Sequence, residues 1–180
     1  MLIKTIFSGF GGQGVLSTGQ ILSKAALLEG KHVTYLPSYG AEVRGGTANC
    51  TVTISDEEIA SPIASEPEFV VALNQPSFFR FQNLLQSGGF LLYNASLVDT
   101  VSLRGDIEVK GIPATDLAQE LGNVRVSNMV ILGAFVRISN LLSFERMIKN
   151  LPEILGAGKS HLLKINKEGF QLGYDYIKEQ

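Results

Sequence analysis

The spacing of apolar residues changes along the chain, and the changes predict alternating strands and helices. Ile3 to Phe7 is a short β-prone run that stops at a glycine cluster. From Gln13 to Glu29 the residues Val15, Leu16, Ile21, Leu22, Ala25 and Leu28 recur at helical spacing, and Gly30 suits the stop. Val33 to Leu36 reads as a second strand ended by Pro37, and Thr47 to Ile54 alternates as a third. Phe69 to Leu73 is apolar on both faces, as a strand inside a parallel sheet is. Pro76 then opens a helix with Phe78, Phe81 and Leu85 on one side.

The second half continues the theme more loosely. Gly89 to Tyr93 and Ile107 to Val109 predict two more strands. Thr115 to Leu121 predicts a short helix closed by Gly122, and Ser127 to about Leu141 a long apolar one. Ser143, with Glu145 just inside, opens a helix reaching about Leu155. Gly156-Ala157-Gly158 reads as a hinge or loop, and Asn166 as the cap of a last helix bearing Phe170, Gly173, Tyr174 and Ile177. The expected fold is α/β: a three-layer sandwich with a largely parallel sheet, a Rossmann-like glycine loop and a helical C-terminal part. Residues 1–180 are expected to form one domain.

Composition narrows the function. Hydrophobic residues make up 45% of the 180 residues, enough for a sizeable core, so wholesale disorder is excluded. Fifteen Lys+Arg against seventeen Asp+Glu leave a net charge of -2 with the signs mixed. No basic field is available to hold a phosphate backbone, so no nucleic-acid partner is expected. The first seven residues lack the length and cleavage site of a signal peptide, and no apolar run approaches the ~18 residues of a membrane span. A cytoplasmic protein with no membrane attachment is expected. The single cysteine, Cys50, excludes an internal disulfide and any four-thiolate metal or iron–sulfur site built from this chain alone.

Chemistry concentrates in two loops. Gly9, Gly11 and Gly14 form G-x-G-x-x-G between the first strand and the first helix, the context in which that spacing has meaning. Such glycines permit a tight turn, close approach of backbone N–H groups to an anion, and close helix–sheet packing. Gly12 shares the loop, and Gln13 offers a side-chain amide to the same anion. The dinucleotide pattern also wants an acid at the end of the second strand, where Leu36-Pro37-Ser38 stands instead. No Gly-Lys-Ser/Thr follows, so the P-loop pattern fails too. Three readings stay open for this loop: an anion or nucleotide contact, a partner-protein contact, and glycines that serve packing alone.

The second loop, Pro37 to Thr47, is expected on the same rim of the sheet. It carries Ser38, Tyr39, Glu42, Arg44, Gly45 and Gly46. Arg44 suits an anionic ligand, because guanidinium meets phosphate or carboxylate in bidentate fashion, and Glu42 is placed to orient it. A surface ion pair in a turn is the plain alternative. Asn74, Gln75 and Ser77 read as a polar turn opening the helix at Pro76. His32 and His161 have no metal-ligand spacing, and Cys50 reads as a small hydrophobe. No catalytic triad or carboxylate pair emerges.

Together the two loops carry a resemblance. Gly9-Phe10-Gly11-Gly12-Gln13-Gly14 followed by Pro37-Ser38-Tyr39-Gly40-Ala41-Glu42-Val43-Arg44-Gly45-Gly46-Thr47-Ala48-Asn49-Cys50 resembles the gamma subunit of 2-oxoacid:ferredoxin oxidoreductases. The likeness continues through Leu73-Asn74-Gln75-Pro76, Ile112-Pro113-Ala114-Thr115 and Asn128 to Ala134, and so covers nearly the whole chain. The wording after Arg44 looks most like the 2-oxoglutarate branch.

What the resemblance implies is part of an enzyme that converts a 2-oxoacid, CoA and oxidised ferredoxin or flavodoxin into acyl-CoA, CO2 and reduced acceptor. It implies thiamine diphosphate, Mg and iron–sulfur clusters on partner alpha, beta and delta subunits, with CoA as co-substrate and no catalytic or metal-binding residue here. It places Gly9, Gly11, Gly12, Gln13 and Gly14 in an anion-facing loop. Ser38, Glu42, Arg44, Gly45 and Gly46 would lie beside it, facing CoA or a partner subunit. A self-standing nucleotide-binding oxidoreductase and a pure scaffold subunit are the alternatives.

Overall fold

The computed structural model describes residues 1–39, 47–99 and 104–178. Among the described residues six strands form one sheet: β1 (Leu2–Phe10), β2 (His32–Tyr39), β3 (Thr47–Ser55), β4 (Phe69–Ala72), β5 (Phe90–Asn94) and β6 (Glu108–Ile112). Their order is β2-β3-β1-β4-β5-β6. β4 pairs parallel with β1, β5 with β4, and β6 with β5, whereas β3 runs antiparallel to both β1 and β2. Five strands therefore point one way and β3 alone points back, so the sheet is mostly parallel.

Helices α1 (Val15–Leu28), α2 (Gln75–Gln82), α3 (Ala114–Glu120), α4 (Ser127–Ser139), α5 (Phe144–Leu155) and α6 (Leu163–Lys178) cover the sheet unequally. Phe7, Cys50, Val52, Val71 and Leu92 point to a core shared with α1, α3, α4, α5 and α6. Ile6, Val70, Ala72 and Leu91 point the other way, where α2 supplies Phe78 and Phe81. On the first side Phe135 of α4 meets Phe7 and Phe69 edge-on, with ring centroids 5.4 and 5.5 Å apart. Helices thus lie on both sides, and the chain after β6 is helical.

α4 is buried at every position from Asn128 to Val136, because α6 lies over the side that the sheet does not reach. Two glycines permit this. A Cβ on Gly133 would strike the carbonyl oxygen of Phe170, and one on Gly173 would strike that of Val130. The same device brings α1 to the sheet, where a Cβ on Gly19 would collide with the sulfur of Cys50.

Most predicted elements appear with shifted ends, and three differences have physical reasons. β2 continues through Pro37 to Tyr39, because it is an edge strand and a missing N–H costs nothing on an open edge. Asn166 does not cap the last helix, which starts at Leu163; its side-chain amide donates to the Leu162 carbonyl at 2.7 Å from within the first turn. The stretch after Gly156 is a 3-10 helix, Ala157–Leu162, rather than a loop. Among the described residues no helix is long and apolar enough to cross a membrane.

The α4–α6 contact yields a stability test. Gly173→Ala puts a methyl group against the Val130 backbone and is expected to cost about 1–3 kcal/mol, the range for overpacking. Urea unfolding should show a lower midpoint with an unchanged slope.

Candidate functional site

β1 and β4 are parallel neighbours whose following helices leave to opposite sides, α1 to one face and α2 to the other. Such a divergence opens a crevice beyond the strand ends, where α/β sheets bind ligands. The glycine loop occupies this place. Gly12 and Gly14 have φ of +96° and +75°, conformations that L side chains avoid. Gly14 is the N-cap of α1 and supplies no side-chain cap, so the helix opens with backbone N–H groups toward the rim. A Cβ on Gly14 would lie 2.9 Å from the Asn128 amide of α4. Gly9, still within β1, is confined by Gln13, Val15 and Leu73. Gly11 and Gly12 are exposed, with nothing within 4 Å of a Cβ on either.

Gln13 does a different job from the one its amide suggests in the sequence. Its Oε1 accepts from the Phe10 N–H at 2.6 Å and from Asn74 Nδ2 at 3.1 Å. Its Nε2 donates to the Leu73 carbonyl at 3.3 Å. The amide therefore ties the end of β1 to the end of β4 instead of reaching outward. Asn74 completes the tie, since its Oδ1 accepts from the Ser77 N–H at 2.9 Å and caps α2. Below it, Ser8 Oγ donates to Ser77 Oγ at 2.9 Å. The polar turn read at Asn74 and Ser77 is thus also the floor of the crevice. A polar turn opening a helix at Pro76 was legible; the cap by Asn74 and its bond to a residue 61 positions earlier were not.

Of the second loop, Ser38 is exposed near the end of β2, opposite Asn49. Glu42, Arg44, Gly45 and Gly46 lie outside the described residues. The strands that flank them are placed, however: Phe10 pairs with Thr47, and Tyr39 with Ala48, so both loops spring from one rim. β3 stands between β1 and β2. The end of β2 is therefore one strand further from the glycine loop than in a dinucleotide fold, where the second strand adjoins the first. That geometry removes the ribose-acid position as a contact of the loop.

Cys50 is fully buried between α1 and the sheet, with Sγ 3.7 Å from the Val15 carbonyl. Burial pushes its thiol up to about 12, against a smaller opposing effect of a backbone hydrogen bond from Gly19. A thiol kept neutral by burial is a poor nucleophile and a poor metal ligand. Among the described residues no group of three or more His, Cys, Asp or Glu is placed to hold a metal.

Residues 4–176 match the model of the pyruvate ferredoxin/flavodoxin oxidoreductase family. The ketoisovalerate oxidoreductase subunit VorA of Methanothermobacter thermautotrophicus is 36% identical over 98% of this chain. The chain spans only 37% of that relative's length. The 2-oxoglutarate synthase subunit KorC of Methanocaldococcus jannaschii is also 36% identical, over 96% of this chain and 92% of its own. The crystal structure of a keto/oxoacid ferredoxin oxidoreductase gamma subunit from Geobacter sulfurreducens superposes with a TM-score of 0.83 at 29% identity, covering 99% of both chains.

Two outcomes follow from the geometry. Gln13→Ala removes three hydrogen bonds and is expected to cost about 2 kcal/mol, whereas Gly11→Ala should stay within about 0.5 kcal/mol, both read from urea midpoints. Cys50 should resist Ellman's reagent in the native protein up to pH 9 and release one equivalent after denaturation. Because the folded thiol titrates above the unfolded one, stability should also fall as pH rises from 9 toward 12.

Proposed function

The chain belongs to the pyruvate ferredoxin/flavodoxin oxidoreductase family, and from that premise we propose that it is the gamma subunit of a multisubunit 2-oxoacid:ferredoxin oxidoreductase. The reaction proposed is 2-oxoglutarate, CoA and oxidised ferredoxin to succinyl-CoA, CO2 and reduced ferredoxin. The observation that carries this reading is the 36% identity to a 2-oxoglutarate synthase subunit across nearly the full length of both chains. Residues 1–180 act as one gamma-type domain in the cytoplasm, inside a complex with alpha, beta and delta subunits.

The proposed work of this chain is to complete a site whose reactive groups sit elsewhere. Its donor set does not fit an iron–sulfur cluster, since its one thiol is buried. Thiamine diphosphate, Mg and the clusters are assigned to partner subunits. The glycine rim suits an anionic co-substrate. Gly11 and Gly12 leave room for close approach, and α1 presents its N-terminus. Gly9, Gln13 and Gly14 hold that rim in shape, and Ser38, Glu42, Arg44, Gly45 and Gly46 are the residues assigned to contact with CoA or a partner. A pure scaffold is the second reading, favoured by the inward commitment of the Gln13 amide.

One experiment separates them. The tagged chain is purified without oxygen from its native cells and assayed for CoA-dependent viologen reduction with 2-oxoglutarate, pyruvate and branched 2-oxoacids. Activity with 2-oxoglutarate in the complex and none in the isolated chain is expected. Arg44→Ala should raise the KM for CoA several-fold; an unchanged KM supports the scaffold. Activity of the chain alone would overturn both.

A further inference from the structure

One buried side chain of α4 has no structural partner. Asn128, the second residue of the helix, is only 9% exposed, and every residue from Met129 to Val136 is apolar or glycine. The other buried asparagines, Asn74 and Asn94, are hydrogen-bonded at both the nitrogen and the oxygen of their amides. Among the described residues the Asn128 amide has no hydrogen-bond partner. The polar atoms sealed from solvent without a partner belong to Thr5, Thr34, Thr53 and Gln82, and not to Asn128. Its polar end therefore opens to solvent from an otherwise buried position. Withdrawing an amide from water this far without a partner is a cost that packing alone does not return.

The amide opens at the mouth of α1. A Cβ on Gly14, the N-cap of α1, would lie 2.9 Å from both Cγ and Nδ2 of Asn128. The Gly14 carbonyl is already taken by Thr18, whose N–H donates at 2.8 Å and whose hydroxyl donates at 3.0 Å. α1 has no side-chain cap and no acidic residue in its first turn, so nothing on the helix offsets its opening N–H groups. Backbone donors of α1 and a side-chain donor of α4 thus meet at one point. Gln13 carries the amide that the sequence offers to an anion, but that amide is spent inward. Asn128 stands in the place left open.

We propose that Asn128 is a ligand-contacting residue of the glycine rim, its Nδ2 donating to a phosphate oxygen of the anionic co-substrate that the opening N–H groups of α1 also receive. This rests on the reading of the rim as a co-substrate site. The contact gives the rim selectivity, because a carrier without phosphate leaves the buried amide unpaired. α4 holds the amide in position beforehand, since its close contact with α6 at Gly133 and Gly173 leaves the helix little room to shift.

The test uses the complex purified from native cells, as wild type, Asn128→Ala and Asn128→Asp. ADP serves as competitor against CoA, because it bears a diphosphate without the thiol. Aspartate keeps the shape of asparagine, and a carboxylate at a helix N-terminus is favourable, so the thermal midpoint of that variant should hold while the phosphate is repelled. The KM for CoA should rise about three- to tenfold in Asn128→Ala and at least about tenfold in Asn128→Asp. The inhibition constant of ADP should rise by the same factor, with kcat and the KM for 2-oxoglutarate unchanged. A purely structural role would instead lower the thermal midpoint and kcat and spare the KM for CoA. That result, loss of assembly in both variants, or an ADP that fails to compete with CoA in the wild type overturns the contact and leaves the subunit reading standing. A wild-type complex without CoA-dependent activity removes the proposed function, and the contact with it.

Discussion

One side-chain amide decides the shape of the functional end of this protein. β1 and β4 run side by side, and their backbone ladder ends where the Leu73 N–H donates to the Ser8 carbonyl at 2.8 Å; beyond that bond the helices that follow part to opposite faces. Gln13 spans the gap, accepting from Phe10 and Asn74 and donating to the carbonyl of Leu73. Asn74 passes the constraint to α2 by capping it, and Ser8 with Ser77 braces the floor. Because the bonds are short-range and directional, the loop between Phe10 and Val15 has a defined course before any ligand arrives. Preorganisation of this kind lowers the ordering cost of binding.

Much of the fold could be read from the chain because its elements advertise themselves locally. α2 has a polar turn and Pro76 at its start, α5 has Ser143 whose hydroxyl accepts from the Arg146 N–H, and β4 is apolar on both faces. What escaped reading is set by partners distant in sequence. Pro37 looks like a stop until β2 is known to be an edge. The reversed direction of β3 follows from pairing on both sides, not from its own alternation. For the site, spacing alone located the glycine loop, yet it assigned Gln13 outward. An amide carries no mark of direction, and its partners Leu73 and Asn74 lie 60 and 61 positions away.

Glycine has three separate duties here. At Gly12 and Gly14 it supplies a backbone turn closed to other residues, and at Gly11 it leaves the rim open. At Gly19, Gly133 and Gly173 its role is to have no side chain where two elements touch. The sequence motif takes in Gly11 and Gly14 but none of the packing glycines. These resemble ordinary helix-weakening residues until the packing is seen.

The third duty gives the molecule a mechanical path. α6 rests on α4 through Gly133 and Gly173, and α4 carries Asn128 against Gly14 at the mouth of α1. α4 is enclosed along most of its length and has little freedom to rotate or slide. A substitution on α6 that displaces α4 therefore moves the wall of the glycine loop, although the two lie more than a hundred positions apart in the sequence. In genetic terms, α6 is where compensating changes for a damaged loop would accumulate, and the helical tail is as much a part of the rim's inheritance as the motif that marks it.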